Sequence, residues 1–137
     1  MSKRVKDYMD TVELVGVDES CLSVISKMIE KDIRIVAVVT PNQRLQGVIT
    51  LSDILRTITS DDIKSTTLLE ESVEHIMTDL RHLAYIREDM IMLESAEEMV
   101  KANTRSLIVV KGLEPVGILH QSHIISWWYH EIIKPKS

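Results

Sequence analysis

Apolar positions along the chain follow two rhythms, and the change from one to the other occurs in the same order twice. Leu22, Ile25, Met28 and Ile29 recur at helical spacing, as do Leu93, Ala96, Met99 and Val100. The spacing predicts two amphipathic helices, each turning one apolar face inward. Ser20 stands ahead of the first as an N-cap. After each helix comes an apolar run, Ile35 to Val39 or Leu107 to Val110, then a turn and a second run. The turns Pro41-Asn42-Gln43-Arg44 and Lys111-Gly112-Leu113-Glu114 join short β-branched segments and predict hairpins. A short strand over Glu13 to Val17, and another over Leu83 to Ile86, precedes each helix, and a last helix follows each hairpin. The expected class is α+β, a β-α-β-β-α unit present twice.

The residues themselves repeat in step with the pattern. Val5-Lys6-Asp7-Tyr8-Met9 returns as Val73-Glu74-His75-Ile76-Met77, and Ile33 to Val39 returns as Thr104 to Val110. Gly47-Val48-Ile49-Thr50-Leu51-Ser52-Asp53-Ile54-Leu55 returns as Gly117-Ile118-Leu119-His120-Gln121-Ser122-His123-Ile124-Ile125. The polar stretch Thr59 to Glu71 reads as the connection. The chain thus divides into a first repeat over 1–62, a connector over 63–72 and a second repeat over 73–137. Neither half buries much surface alone, so the two are expected to pack as one pseudo-twofold body.

Composition narrows what such a body does. The chain has 137 residues with 16 Lys+Arg against 21 Asp+Glu, a formal net charge of −5 that argues against a broad nucleic-acid face. Two local arginines still suffice for a small anion. No stretch approaches the roughly 18 apolar residues of a membrane helix, and nothing apolar follows the basic start, so the expected location is cytoplasmic. Cys21 is the only cysteine, which excludes an internal disulfide and a multi-cysteine zinc site. With no Phe and seven Met, the core is expected to be aliphatic.

The sharpest motif is Gly47-x-x-Thr50-x-x-Asp53, where a strand gives way to a helix. A capping box accounts for Thr50 and Asp53, although Glu or Gln is commoner at the third position. A binding role accounts for them too. An ionised Asp accepts from both hydroxyls of a ribose, while Thr50 and nearby N–H groups hold a phosphate or a base edge.

The duplicated Val-x-x-x-Met start, the hairpins and Gly-x-x-Thr-x-x-Asp together resemble a tandem pair of CBS domains, a Bateman module, over about Val5 to Ile132. The resemblance implies a non-catalytic regulatory module that binds an adenine nucleotide, AMP, ADP or ATP, or else S-adenosylmethionine, between its repeats. It places Asp53 on the ribose hydroxyls, Thr50 near the phosphate or sugar and Val48 against the adenine, with Leu83 and Ala84 contributed by the opposite repeat. Arg34 and Arg105 take equivalent positions in the two halves and are the candidates for the phosphate end. The alternative for them is a pair of surface arginines. In the second repeat His120 and His123 replace the Thr and Asp, and an imidazole cannot substitute for a carboxylate at a diol. One ribose site is expected, beside a second pocket that is empty or altered.

Other residues carry weaker signals. His120 and His123 lack a nearby acidic or cysteine third ligand in sequence, and His75, His82 and His130 add no familiar spacing, so no metal is expected. Cys21 opens an apolar helix face as a small buried thiol. Trp127, Trp128 and Tyr129 are consecutive and cannot all face inward, which makes Trp127 and Trp128 candidates for a homodimer interface. Three roles follow: a nucleotide sensor for an unidentified partner protein, an assembly scaffold with vestigial pockets, or an enzyme. For an enzyme, no base and nucleophile pair suggests itself.

Overall fold

The computed structural model describes residues 3–60 and 70–134, so most of the connector expected over 63–72 lies outside the described residues. In the first unit, β1 (Glu13–Gly16) runs parallel to β2 (Ile35–Val39), with α1 (Cys21–Glu30) between them. Strand β2 then pairs antiparallel with β3 (Leu45–Thr50), which continues into α2 (Leu51–Ile58). A two-residue strand β4 (Thr78–Asp79) pairs with β3 and completes the order β1-β2-β3-β4. The second unit repeats the plan with β5 (Tyr85–Arg87), α3 (Met92–Ala102), β6 (Ser106–Lys111), β7 (Glu114–His120) and α4 (Gln121–Trp127). Helix α4 passes directly into a π-helical stretch, Trp128–Ile133. The expected α+β class and the doubled β-α-β-β-α unit are therefore both present. Even the irregularities repeat, since each hairpin carries a register shift, at Val38/Val39 and at Val109/Val110.

Local chemistry explains the turns. Gln43 and Gly112 take left-handed backbone angles at the two hairpin loops, φ 64° and 63°. Ser20 caps α1 by accepting from the Ser23 N–H at 3.1 Å. The strand expected over Leu83 to Ile86 begins two residues later, because Leu80–His82 forms a 3-10 turn that the Leu83 N–H closes onto the Leu80 carbonyl.

The buried face of each long helix differs from the expected one. Cys21, Val24 and Met28 point into the core, while Leu22 and Ile29 are exposed. In α3 the inner row is Met92, Ser95 and Met99, and Leu93 and Val100 face outward. Two adjacent rows share the same periodicity, and the inner one includes Cys21 and Ser95, which hydropathy alone does not single out. Buried Ser95 satisfies its hydroxyl by donating to the Met92 carbonyl at 2.6 Å.

The compact units and the sequence repeats differ at their leading segments. One unit is Glu13–Leu83; the other combines the segment up to Val12 with Ala84 onward. Val73, Ile76 and Met77, which open the second repeat, pack with Val15, Val24, Met28, Val36 and Ile49. Val5, Tyr8 and Met9, which open the first, pack with Ile86, Met92, Leu107, Val109 and Leu119. Backbone bonds fasten both exchanges: Val73 N–H to the Glu19 carbonyl and Val5 N–H to the Met90 carbonyl, each 2.9 Å. This exchange is what the repeated Val-x-x-x-Met encodes, two apolar anchors four residues apart across a single 3-10 turn.

The glycines of the two strand motifs permit the crossing. A Cβ on Gly47 would strike the Thr78 carbonyl, and one on Gly117 would lie 2.6 Å from Met9 Sδ and 2.7 Å from the Asp10 carbonyl oxygen. Among the described residues no helix is long and apolar enough to cross a membrane.

Candidate functional site

At the end of β3, Thr50 and Asp53 form the reciprocal cap that their spacing predicts. The Thr50 N–H donates to Asp53 Oδ2 at 2.8 Å, and the Asp53 N–H donates to Thr50 Oγ1 at 3.2 Å. Asp53 does more than cap. Its side chain is almost fully buried, and Oδ2 also accepts from the Thr50 hydroxyl at 3.0 Å. The other oxygen, Oδ1, accepts from the Thr78 hydroxyl at 2.9 Å and pairs with the Arg56 guanidinium. Two halves of the carboxylate thus differ in kind: Oδ2 is held by the frame of α2, whereas Oδ1 is held partly by an arginine whose side chain is 69% exposed. A buried carboxylate requires such partners, because leaving it unpaired costs several kcal/mol, of the order known for buried charges generally.

The second unit carries the same construction, with donor and acceptor exchanged where the helix meets the leading segment. The His120 N–H donates to His123 Nδ1 at 2.8 Å, which replaces the Thr50-to-Asp53 bond. His123 Nε2 lies 3.3 Å from Asp10 Oδ2, where the first unit has the Thr78 hydroxyl on Asp53. The carboxylate has moved from the helix to the leading segment. His120 Nδ1 in turn lies 3.0 Å from Ser106 Oγ. Burial, then the neighbouring His123, push the His120 imidazole below its ordinary value, against a smaller upward pull from Asp10. Sequence reading missed Asp10 as a partner of His123, because the two lie 113 positions apart; the signal was its place directly after Val5-x-x-x-Met9. With Nδ1 occupied by a backbone donor, His123 is not poised as a metal ligand, and the described residues include no group of three that could hold a metal.

The match to a family model, CBS domain, spans residues 5–60 and again 73–130. The chain belongs to the CBS domain family. Among solved structures it is similar to CBSX2 in complex with AMP, at 20% identity and TM-score 0.75 over 90% of this chain and 93% of that one. It is also similar to the CBS domain pair of protein MJ0100 in complex with 5′-methylthioadenosine and S-adenosyl-L-methionine, at 22% identity and TM-score 0.74, over 93% and 97%. A third is Hypoxic Response Protein I with two coordinated zinc ions, at 20% identity and TM-score 0.74, over 90% and 98%. At these identities the likeness is one of fold. No curated protein matches the chain in sequence.

Within this CBS fold the expected site residues separate into groups. Thr50, Asp53 and Arg34 come together at the start of α2: the Arg34 carbonyl accepts from the Leu51 N–H at 3.2 Å, and its side chain is exposed. Val48 is next to them on β3 but is only 3% exposed, opposite Ala37 and Thr78 in the sheet. Half-buried Leu83 follows the 3-10 turn of Leu80–His82, in the same unit. Ala84 and Arg105 belong to the other unit; both are exposed, and the Arg105 carbonyl accepts from the Gln121 N–H at 2.9 Å, matching Arg34. Thr78 and Arg56 are the partners of Asp53 that sequence reading missed. Thr78 directly follows the repeated Met77, and Arg56 is one helical turn beyond Asp53, so position alone pointed at both. Trp127 packs against the core of the second unit, whereas Trp128 and Tyr129 are exposed.

Proposed function

We propose that this CBS pair is a non-catalytic regulatory module that binds an adenine nucleotide at Asp53 and reports the binding to a separate protein. The observation that carries this reading is the divided carboxylate. Oδ2 is committed to the helix start, but the Arg56 side chain on Oδ1 is mostly exposed and worth little as an ion pair, so a ribose hydroxyl can replace it at small cost. Arg34, at the same helix start, supplies a guanidinium for phosphate and favours a nucleotide over a sulfonium by charge. The bound AMP of CBSX2 and the adenosyl ligands of MJ0100 are consistent with this ligand class.

The test is a thermal melt with AMP, ADP, ATP and S-adenosylmethionine, repeated in Arg34→Ala. Saturation at about 100 times the dissociation constant adds roughly 2.7 kcal/mol, and each kcal/mol raises the midpoint of a chain this size by about 3–5 °C. A rise with a nucleotide that shrinks in Arg34→Ala supports the proposal. No rise with any of the four, in protein that melts cooperatively, overturns it in favour of the scaffold reading.

Self-association accompanies this role. Equivalent positions in the two repeats expose large apolar side chains: Leu22 with Leu93, Ile29 with Val100, Leu55 with Ile125 and Ile58 with Trp128. A surface duplicated within one chain suits a partner carrying the same duplication, which is a second copy. Sedimentation is expected to show a dimer that Trp128→Asp converts to monomer while the fold is kept. Wild-type protein that stays monomeric at high concentration would remove the proposal.

A further inference from the structure

We propose that His120, His123 and Asp10 form a proton-gated clasp, which fastens the leading segment to the second-repeat unit while both rings are neutral and releases it in acid. The clasp sits where the leading segment meets β7. There the Asp10 N–H donates to the Ile118 carbonyl at 3.0 Å and the Ile118 N–H donates to the Asp10 carbonyl at 2.9 Å. The Asp10 side chain then reaches His123 Nε2. Because His123 Nδ1 accepts the His120 N–H, the neutral ring must carry its proton on Nε2, and that proton points at the Asp10 carboxylate. One tautomer serves both the helix cap and the clasp.

A second proton has nowhere to go without damage. On His123 it lands on Nδ1 and opposes the backbone N–H that Nδ1 now accepts, so the ring has to turn away. The charged ring gains attraction to Asp10, but Asp10 is 65% exposed and such an ion pair contributes little. On His120 the proton is placed on a partly buried ring whose centroid is 5.2 Å from that of His123. The depressed affinity of His120 for a proton has the matching sign. Its contribution to stability is complete above the ordinary value of 6.5 and is lost as pH falls through the lower folded-state value.

Other charged groups do not offset this. Ser106 on β6 faces His120 without charge, and Arg105, just before β6, is exposed. Glu94, Glu97, Glu98 and Lys101 on α3 are exposed, and Glu131 in the π-helical stretch accepts from the Tyr8 hydroxyl instead. The first unit, with Asp53 and Thr78 in the equivalent places, has no imidazole in its clasp. Acid therefore acts on one repeat and spares the other, and this asymmetry is independent of what binds at Asp53.

Amide hydrogen exchange followed by NMR tests the clasp on the full chain without ligand. Between about pH 7.5 and about pH 5.5, protection at Asp10, Ile118 and His120 is expected to fall about fivefold, which is what one lost helix cap is worth. Val38 and Ile49 in the first unit should keep theirs. In His120→Asn/His123→Asn, where amide side chains supply non-titrating acceptors, the pH effect should vanish. An equal loss at Val38 and Ile49, no loss in wild type, or a loss that persists in the double variant overturns the proposal. If the double variant does not fold, the ring titrations of wild-type His120 and His123 decide. Release must share its midpoint with one of them, and a mismatch overturns the clasp.

Discussion

Asp53→Ala is expected to unfold about 3 kcal/mol more easily than wild type, the sum of a lost cap of about 1 kcal/mol and buried donors left without an acceptor at about 1–3 kcal/mol. The substitution strips partners from the Thr50 N–H, the Thr50 hydroxyl and the Thr78 hydroxyl at once. It also unties β4 from α2, since Thr78 belongs to the one strand of that sheet contributed by the opening of the second repeat. Asp53→Asn keeps an acceptor for the Thr50 N–H and should cost less than half as much. Urea unfolding of the three proteins is the measurement. An alanine variant within about 0.5 kcal/mol of wild type, the range of ordinary surface changes, would mean that the carboxylate is not a structural member. This size of loss also explains why Arg34, and not Asp53, is the residue to remove when ligand binding is the question.

Gly117→Ala is expected to cost about 1–3 kcal/mol or somewhat more, as overpacking does where the obstacle cannot yield. Its Cβ would meet Met9 Sδ, which can move, and the Asp10 carbonyl, which cannot move without breaking its bond from the Ile118 N–H. The leading segment should therefore lift away from β7. Trypsin then cuts early at exposed Lys6, while the unit Glu13–Leu83 survives longer. Gly112 supplies the contrast. A Cβ there meets nothing within 4 Å, and the only penalty is its left-handed backbone, so Gly112→Asn should be close to neutral. Equal protease sensitivity of Gly117→Ala and wild type would show that the close crossing does not hold the segment.

Much of this arrangement is legible in the residues. Alternation and the turns Pro41–Arg44 and Lys111–Glu114 located the two hairpins; Gly112 is the residue type its left-handed position favours, whereas Gln43 takes the same angle with no such signal in the sequence. The Thr50–Asp53 spacing announced the cap, and that cap is present. Periodicity failed where two rows compete: Leu22 and Ile29 outrank Cys21 and Val24 in bulk, yet the smaller row is inside. Thr78 and Asp10 were hidden for a different reason. Each completes a cluster from the opposite end of the sequence, and local pattern carries no information about which distant segment arrives. The repeat was the only available clue, since it aligns Asp10 with Thr78 just as it aligns His123 with Asp53.

The exchange of opening segments also fixes an order of events during synthesis. Among the described residues, the core of Glu13–Leu83 is drawn from that unit alone, so it is available by the time Leu83 has left the ribosome. Val5, Tyr8 and Met9 are made before that unit, yet their seat, which includes Leu107, Leu119 and Ile124, is made after it. At about 5–20 residues per second the wait is of the order of ten seconds. Through that interval the segment travels as an unburied apolar tether, and it is seated only once β7 and α4 have been made.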